Sequence, residues 1–186
     1  KSATELLAGI PSVVYGFFGL VVIVPMIRNY TAAQGIGGNG QTMLTASIIL
    51  GIMILPTIIG VTESAMRSVP DQYYEGSLAL GATKERTIFR IVIPAAKSGV
   101  IAGIVLGIGR AIGETMAVIM VAGNQPRMPQ GILEGVRTMT TNIVMEMGYA
   151  ADLHREALIA TAVVLFVFIL IINACVSLLN RRSEHD

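Results

Sequence analysis

An arginine in the middle of an apolar run is the residue in this sequence most able to do chemistry. Arg110 opens the stretch Arg110-Ala111-Ile112-Gly113-Glu114-Thr115, and a guanidinium at the centre of a lipid-embedded helix costs about 2.5–3.5 kcal/mol to insert. Glu114 follows four residues later, one helical turn on, so helical spacing puts the two on one face, where they can pair and lower that cost. Two readings stand side by side. One is a structural ion pair that fixes helix packing. The other is a cationic station for an anion, because a guanidinium fork meets phosphate-like oxygens in a bidentate way, with Glu114 holding the arginine or competing with the anion for it. Thr115 is a weaker third candidate, on account of a hydroxyl beside them.

A second constellation is Glu75-Gly76-Ser77, three residues, Gly81, nine residues, then Ile91-Val92-Ile93-Pro94. Lys84, Glu85, Arg86 and Arg90 lie within it. A short helical element that is apolar at some positions, charged at others and joined to a membrane span at each end can pass the movement of a soluble partner into the membrane. The plainer alternative is a charged loop lying on the bilayer surface. Gly81 lets the chain turn without a Cβ clash.

The elements that must carry these residues are membrane helices. Of the 186 residues, 53% are hydrophobic and only 13% charged, against roughly a quarter charged in a soluble domain. Spanning about 30 Å of hydrocarbon takes ~20 apolar residues in a helix. Four stretches qualify, at about 6–27, 42–61, 98–122 and 157–179, leaving a loop at 63–97 and another at 123–156. The expected fold is all-α, a polytopic transmembrane helical bundle in one domain, 1–186. A chain beginning with Lys1 rather than Met reads as a piece of a longer protein.

Eight basic residues (Lys1, Arg67, Lys84, Arg86, Arg90, Lys97, Arg181 and Arg182) fall on one side of these spans. Four (Arg28, Arg127, Arg137 and Arg155) fall on the other. Positive residues favour the cytoplasm, so both termini and the 63–97 loop are expected inside. Tyr30, Tyr73, Tyr74 and Tyr149 are the candidate interface anchors. In the inner loop, Ser68-Val69-Pro70-Asp71 reads as a capping box before a helical stretch at 72–90 interrupted at Gly81, with Leu78, Ala82 and Phe89 able to face a partner. The outer loop holds a possible helix from Leu133 to Met147.

Other signals are structural or decoys. Gly99, Gly103 and Gly107, four residues apart, suit close helix packing, and Pro25 and Pro56 suit kinks. Gly35-Ile36-Gly37-Gly38-Asn39-Gly40 spells a dinucleotide fingerprint without the strand that motif needs. There is no phosphate-binding loop ending in Gly-Lys-Ser/Thr, so the chain lacks its own cradle for ATP. The net charge of +1 argues against nucleic-acid binding. Cys175 is the single cysteine, so neither a disulfide framework nor a zinc set is expected. Glu146, Asp152 and Glu156 have no further ligands in sequence, no metal or cofactor is expected in this chain, and no Ser/His/Asp or paired-carboxylate arrangement points to catalysis. His154 and Arg155 read as a solvated turn or as a contact for a docking protein.

The 75–94 spacing resembles the EAA signature of importer-type ABC permeases, E-A-A-x3-G-x9-I-x-L-P, with Gly76 and Ser77 in place of the alanines and Ile93 in place of leucine. The substitutions keep small size and branched apolar character. Residues 7–20 (LAGIPSVVYGFFGL), 55–70 (LPTIIGVTESAMRSVP) and 107–124 (GIGRAIGETMAVIMVAGN) further resemble the PstC-type permease subunits of phosphate-specific ABC importers. Met116 after Gly113-Glu114-Thr115 sets them apart from the sister PstA type. The resemblance implies a type I importer fold, MetI-like, with six spans of which this chain looks like the last four. It implies ATPase coupling through Glu75, Gly76, Ser77, Gly81, Ile91 and Pro94, and a substrate pathway at Arg110, Glu114 and Thr115. The implied partners are an ABC ATPase dimer that holds ATP and Mg, a second permease of the PstA type, a periplasmic phosphate-binding protein and the lipid of a prokaryotic plasma or inner membrane. The alternatives are another oxyanion, such as sulfate or molybdate, or a secondary transporter or channel without an ATPase, in which Arg110 and Glu114 form a proton relay.

Overall fold

The computed structural model describes residues 6–183, with side chains through Cys175; Lys1 and the side chains of Arg181 and Arg182, part of the inside charge count, lie outside the described set. The helices are α1 Ser12–Ala33, α2 Met43–Arg67, α3 Asp71–Ala79, α4 Lys84–Ala95, α5 Lys97–Gly113, α6 Met116–Val121, α7 Met139–Glu146 and α8 Asp152–Ser183. Among the described residues the β pairing is confined to an isolated bridge between Gly123 and Val136. The fold is all-α. α1, α2 and α8 are long and apolar enough to cross a bilayer, and α4 with α5, meeting at 73°, make a fourth if the bent pair is counted as one span.

Local chemistry sets the helix ends. α1 starts after Pro11, which serves as its N-cap, and a π turn over Gly19–Ile23 precedes Pro25. That wide turn lets the helix run through a residue without an N–H. α2 starts at Thr42, whose hydroxyl accepts from the Thr45 amide at 3.2 Å. The next two amides, of Met43 and Leu44, would be orphans; they donate to the carbonyls of Glu134 and Ile132, each at 2.8 Å. The segment expected to be helical from Leu133 is therefore irregular until α7, because its backbone caps α2 instead.

Ser68-Val69-Pro70-Asp71 is not a capping box. α2 runs on through Arg67, Ser68 is its C-cap residue and donates its hydroxyl to Ala65 O at 2.7 Å. Pro70 is the N-cap residue of α3, without a side-chain hydrogen bond.

α2 and α5 pack along the glycine row. A Cβ on Gly103 would lie 3.3 Å from the Ile58 carbonyl oxygen, and one on Gly107 2.7 Å from Ile58 Cγ1. The best-buried element is the short α6, whose Ala117, Val118 and Val121 are almost wholly enclosed. Val118 and Val121 pack with Val24 and Ala46, and Ala117 with Tyr15, Ile49 and Met53. α6 fits because α1 presents glycine: a Cβ on Gly16 would lie 2.8 Å from Ala117 Cα. α8 buries Leu158 and leaves Val163, Val164, Phe166 and Phe168 exposed, a surface suited to lipid.

Candidate functional site

The continuous apolar run at 98–122 is two helices, and the break falls at the charged motif. α5 ends at Gly113, Glu114 is extended (φ −70°, ψ 131°), and α6 restarts at Met116. The carboxylate of Glu114 accepts the Ala117 amide at 3.0 Å, closing the first turn of α6 as a capping side chain does. The expected Arg110–Glu114 pair is therefore not formed. With the helix ended between them, i and i+4 no longer share a face, and Glu114 is spent on the backbone.

Arg110 is exposed in the last turn of α5. Its Nη1 donates to Thr57 Oγ1 at 3.3 Å, in α2 beside the buried Pro56. Among the described residues no carboxylate lies within ion-pair distance of it. A guanidinium carries five donors, so the fork remains available to an oxyanion. Thr115 donates its hydroxyl to Gly113 O at 3.3 Å, which ties it to the break. Thr140, in α7, donates to the Glu114 carbonyl oxygen at 3.1 Å, a contact between positions too distant in sequence for local pattern to signal.

The sequence also missed a polar cluster outside the spans. Arg137 Nη1 donates to Glu146 Oε1 at 2.8 Å, with both side chains only 18% exposed, and Arg137 Nε donates to the Asn124 carbonyl at 3.0 Å. Tyr149 donates its hydroxyl to the other oxygen of Glu146, and His154 Nε2 stands 3.6 Å from that oxygen. The hydrogen bond from Tyr149, with further help from Arg137, holds the Glu146 carboxyl below its ordinary range. The same bond raises the Tyr149 phenol above its own. His154 thus belongs to a network rather than to a loose turn.

The third set is the 75–94 segment. α3 ends in Leu80 and Gly81, the latter in the left-handed region at φ 85°, and α4 opens at the Thr83 cap, which accepts the Arg86 amide at 3.3 Å. Across that turn Ser77 and Thr87, both buried, share a hydrogen bond at 2.9 Å. Thr87 gives its own hydrogen to the Thr83 carbonyl at 3.0 Å, so Ser77 is the donor between them. Glu75, Gly76 and Pro94 are exposed and Ile91 half-buried. The outermost apolar residues are Leu80 (91% exposed) and Phe89 (69%); Leu78 and Ala82, expected to face a partner, are half-buried. An apolar residue immediately before a left-handed glycine was the available signal for Leu80.

Residues 1–185 match the family described as binding-protein-dependent transport system inner membrane component. The chain is 42% identical over 175 residues to the probable ABC transporter permease protein YqgH of Bacillus subtilis, covering 91% of this chain and 55% of that protein. It is 38% identical over 202 residues to the phosphate transport system permease protein PstC of Xylella fastidiosa, covering 98% of this chain and 62% of the relative. Against the phosphate transport system permease protein PstC 1 of Mycobacterium tuberculosis the figures are 34% over 198 residues, 96% and 59%. The chain thus spans between 55% and 62% of the length of these relatives. No solved structure matches it.

Proposed function

Because the chain belongs to the family of binding-protein-dependent transport system inner membrane components, we propose that it works as a PstC-type permease in an ATP-driven importer of inorganic phosphate. The observation that carries this is Arg110: an exposed cation ending a helix inside an apolar run, without a carboxylate partner among the described residues. The names of the PstC relatives supply the cargo. The chain supplies the pathway, and ATP with its Mg binds the partner ATPase subunits.

In this reading the spans lie near 6–27, 42–61, 98–122 and 157–179. The 63–97 segment and both ends of the chain face the cytoplasm, and the 123–156 segment faces the phosphate-binding protein. Glu75, Gly76, Ser77, Gly81, Ile91 and Pro94 form the element seated on the ATPase dimer, with Leu80 and Phe89 as its apolar knobs. Closure of that dimer pushes on α3 and α4. The tight glycine seam makes α2 and α5 move together, so the pathway beside a second permease of the PstA type opens alternately outward and inward. Arg110 meets the anion, Glu114 and Thr115 hold the helix break next to it, and the attraction stays moderate so that the ion can leave.

The test is labelled phosphate uptake by the whole permease with its partners in proteoliposomes, with sulfate and molybdate as competitors. Saturable, ATP-dependent uptake that ignores both competitors and is lost in Arg110→Ala is the expected result. Uptake of another oxyanion replaces the cargo, and ATP-independent flux overturns the importer reading.

A further inference from the structure

We propose that Thr140 is a positioning residue for transport, its hydroxyl holding the break in the α5–α6 helix and tying the outer segment to the Arg110 station; this rests on the transport reading above. Ending α5 at Gly113 leaves the Glu114 amide on the Ala111 carbonyl at 3.3 Å but the Glu114 carbonyl and the Ala117 amide without helical partners, and two side chains take up the loss. The Glu114 carboxylate holds the Ala117 amide at 3.0 Å. Thr140, a residue only 9% exposed, holds the Glu114 carbonyl at 3.1 Å.

Thr140 has little freedom of its own. Thr138 Oγ1 lies 2.9 Å away, and its single hydrogen is shared between the Thr140 hydroxyl and the Thr141 hydroxyl, the latter at 3.1 Å. The Thr138 hydroxyl also accepts the Thr141 amide at 3.3 Å as the cap of α7, and Thr141 is fully buried. Arg137, the preceding residue, is fixed by Glu146 at 2.8 Å and the Asn124 carbonyl at 3.0 Å. On the far side of Arg137, the carbonyls of Ile132 and Glu134 cap the first turn of α2 at 2.8 Å. The outer segment is therefore pinned to α2 at one end and to the helix break at the other. Arg110 precedes Glu114 by four residues in the last turn of α5, so a shift of residues 132–140 passes through the Thr140 hydroxyl and the Glu114 carbonyl into the backbone that carries it.

Thr140→Val keeps the shape and removes the donor, and Thr140→Ser restores it. In the whole permease assembled with its partners, Thr140→Val is expected to lower maximal phosphate uptake about five- to tenfold, the size of one lost hydrogen bond in the rate-limiting change. The phosphate concentration for half-maximal uptake stays unchanged, and Thr140→Ser stays within about twofold of the parent. Amide hydrogen exchange at Ala117 should accelerate in the valine variant and not in the serine one, a readout independent of cargo. Unaltered exchange at Ala117, or equal uptake by equal amounts of assembled valine variant, overturns the proposal, as does a serine variant as slow as the valine one. If the parent takes up no phosphate, the cargo reading fails and exchange at Ala117 alone decides the latch.

Discussion

Gly107 of α5 lies so close to Ile58 of α2 that a Cβ there would meet Ile58 Cγ1 at 2.7 Å. One turn earlier, a Cβ on Gly103 would stand 3.3 Å from the Ile58 carbonyl oxygen and from the Thr62 hydroxyl. Apolar burial gives helices in lipid little reason to associate, so close approach over small residues supplies the attraction through packing. The seam joins the helix that enters the 71–95 segment to the one that leaves it.

Gly103→Leu should therefore separate α2 from α5. Overpacking of this kind costs about 1–3 kcal/mol, because the nearest obstacle is backbone rather than the end of a flexible side chain. Gly109→Ala on the same helix is the control, since a Cβ there meets nothing within 4 Å. Thermal inactivation of the detergent-extracted permease is expected to shift down for Gly103→Leu and stay put for Gly109→Ala; equal behaviour of the two would remove the seam from the account.

Glu114→Gln and Glu114→Leu separate the two jobs this residue can have. The amide side chain keeps an acceptor for the Ala117 amide, whereas leucine leaves it bare at a cost of about 1 kcal/mol, the usual loss for a removed cap. Glu114→Gln should match the parent in melting temperature while Glu114→Leu falls below it. A glutamine variant as unstable as the leucine one would mean that the charge, not the cap, holds the break.

Sequence reasoning reached α2 and α8 because apolar length is a local property, and it reached the turn at Gly81 because glycine marks a left-handed residue. It missed the break at Glu114 because residues 98–122 read as one apolar run and a glutamate four positions after an arginine fits a helix equally well. The burial of Thr140 and Thr141 was illegible for a different reason: their partners lie across the fold, and no periodicity encodes a carbonyl of residue 134 capping a helix that starts at residue 43. The same holds for Arg137, Glu146, Tyr149 and His154, spread over 18 positions and gathered by α7 together with the turn after it.

Ser77→Ala and Thr87→Val should act as one change. The bond between them at 2.9 Å is the polar tie across the Gly81 turn, and a net hydrogen bond contributes about 0.5–1.5 kcal/mol. In a double-mutant cycle the second substitution should add less than it costs alone. The assay is ATP consumed per phosphate imported: each single variant should raise it, with membrane insertion intact, because a looser turn transmits less of the stroke. Glu75→Lys, exposed on the same element, should raise the ratio further if the proposed coupling face is where that element acts. A ratio unmoved by all three would remove α3 and α4 from the coupling path.

Acid should weaken the Arg137–Glu146 cluster through Glu146. Its folded carboxyl is held below the ordinary value of 4.5, first by Tyr149 and then by Arg137. A depressed carboxylate contributes stability that is fully present above the unfolded value and is lost as pH falls through the folded one. Tyr149 runs the other way: raised above 10.0, its contribution is present below that value and lost above it. With His154→Gln in both proteins, the melting-temperature gap between the parent and Glu146→Gln should be constant from pH 8 to about pH 5 and shrink below that. Tyr149→Phe removes the largest cause of the depression, so its acid loss should be smaller in total and complete at a higher pH. A gap that does not change between pH 7 and 3.5 would show that Glu146 does not hold the loop through its charge.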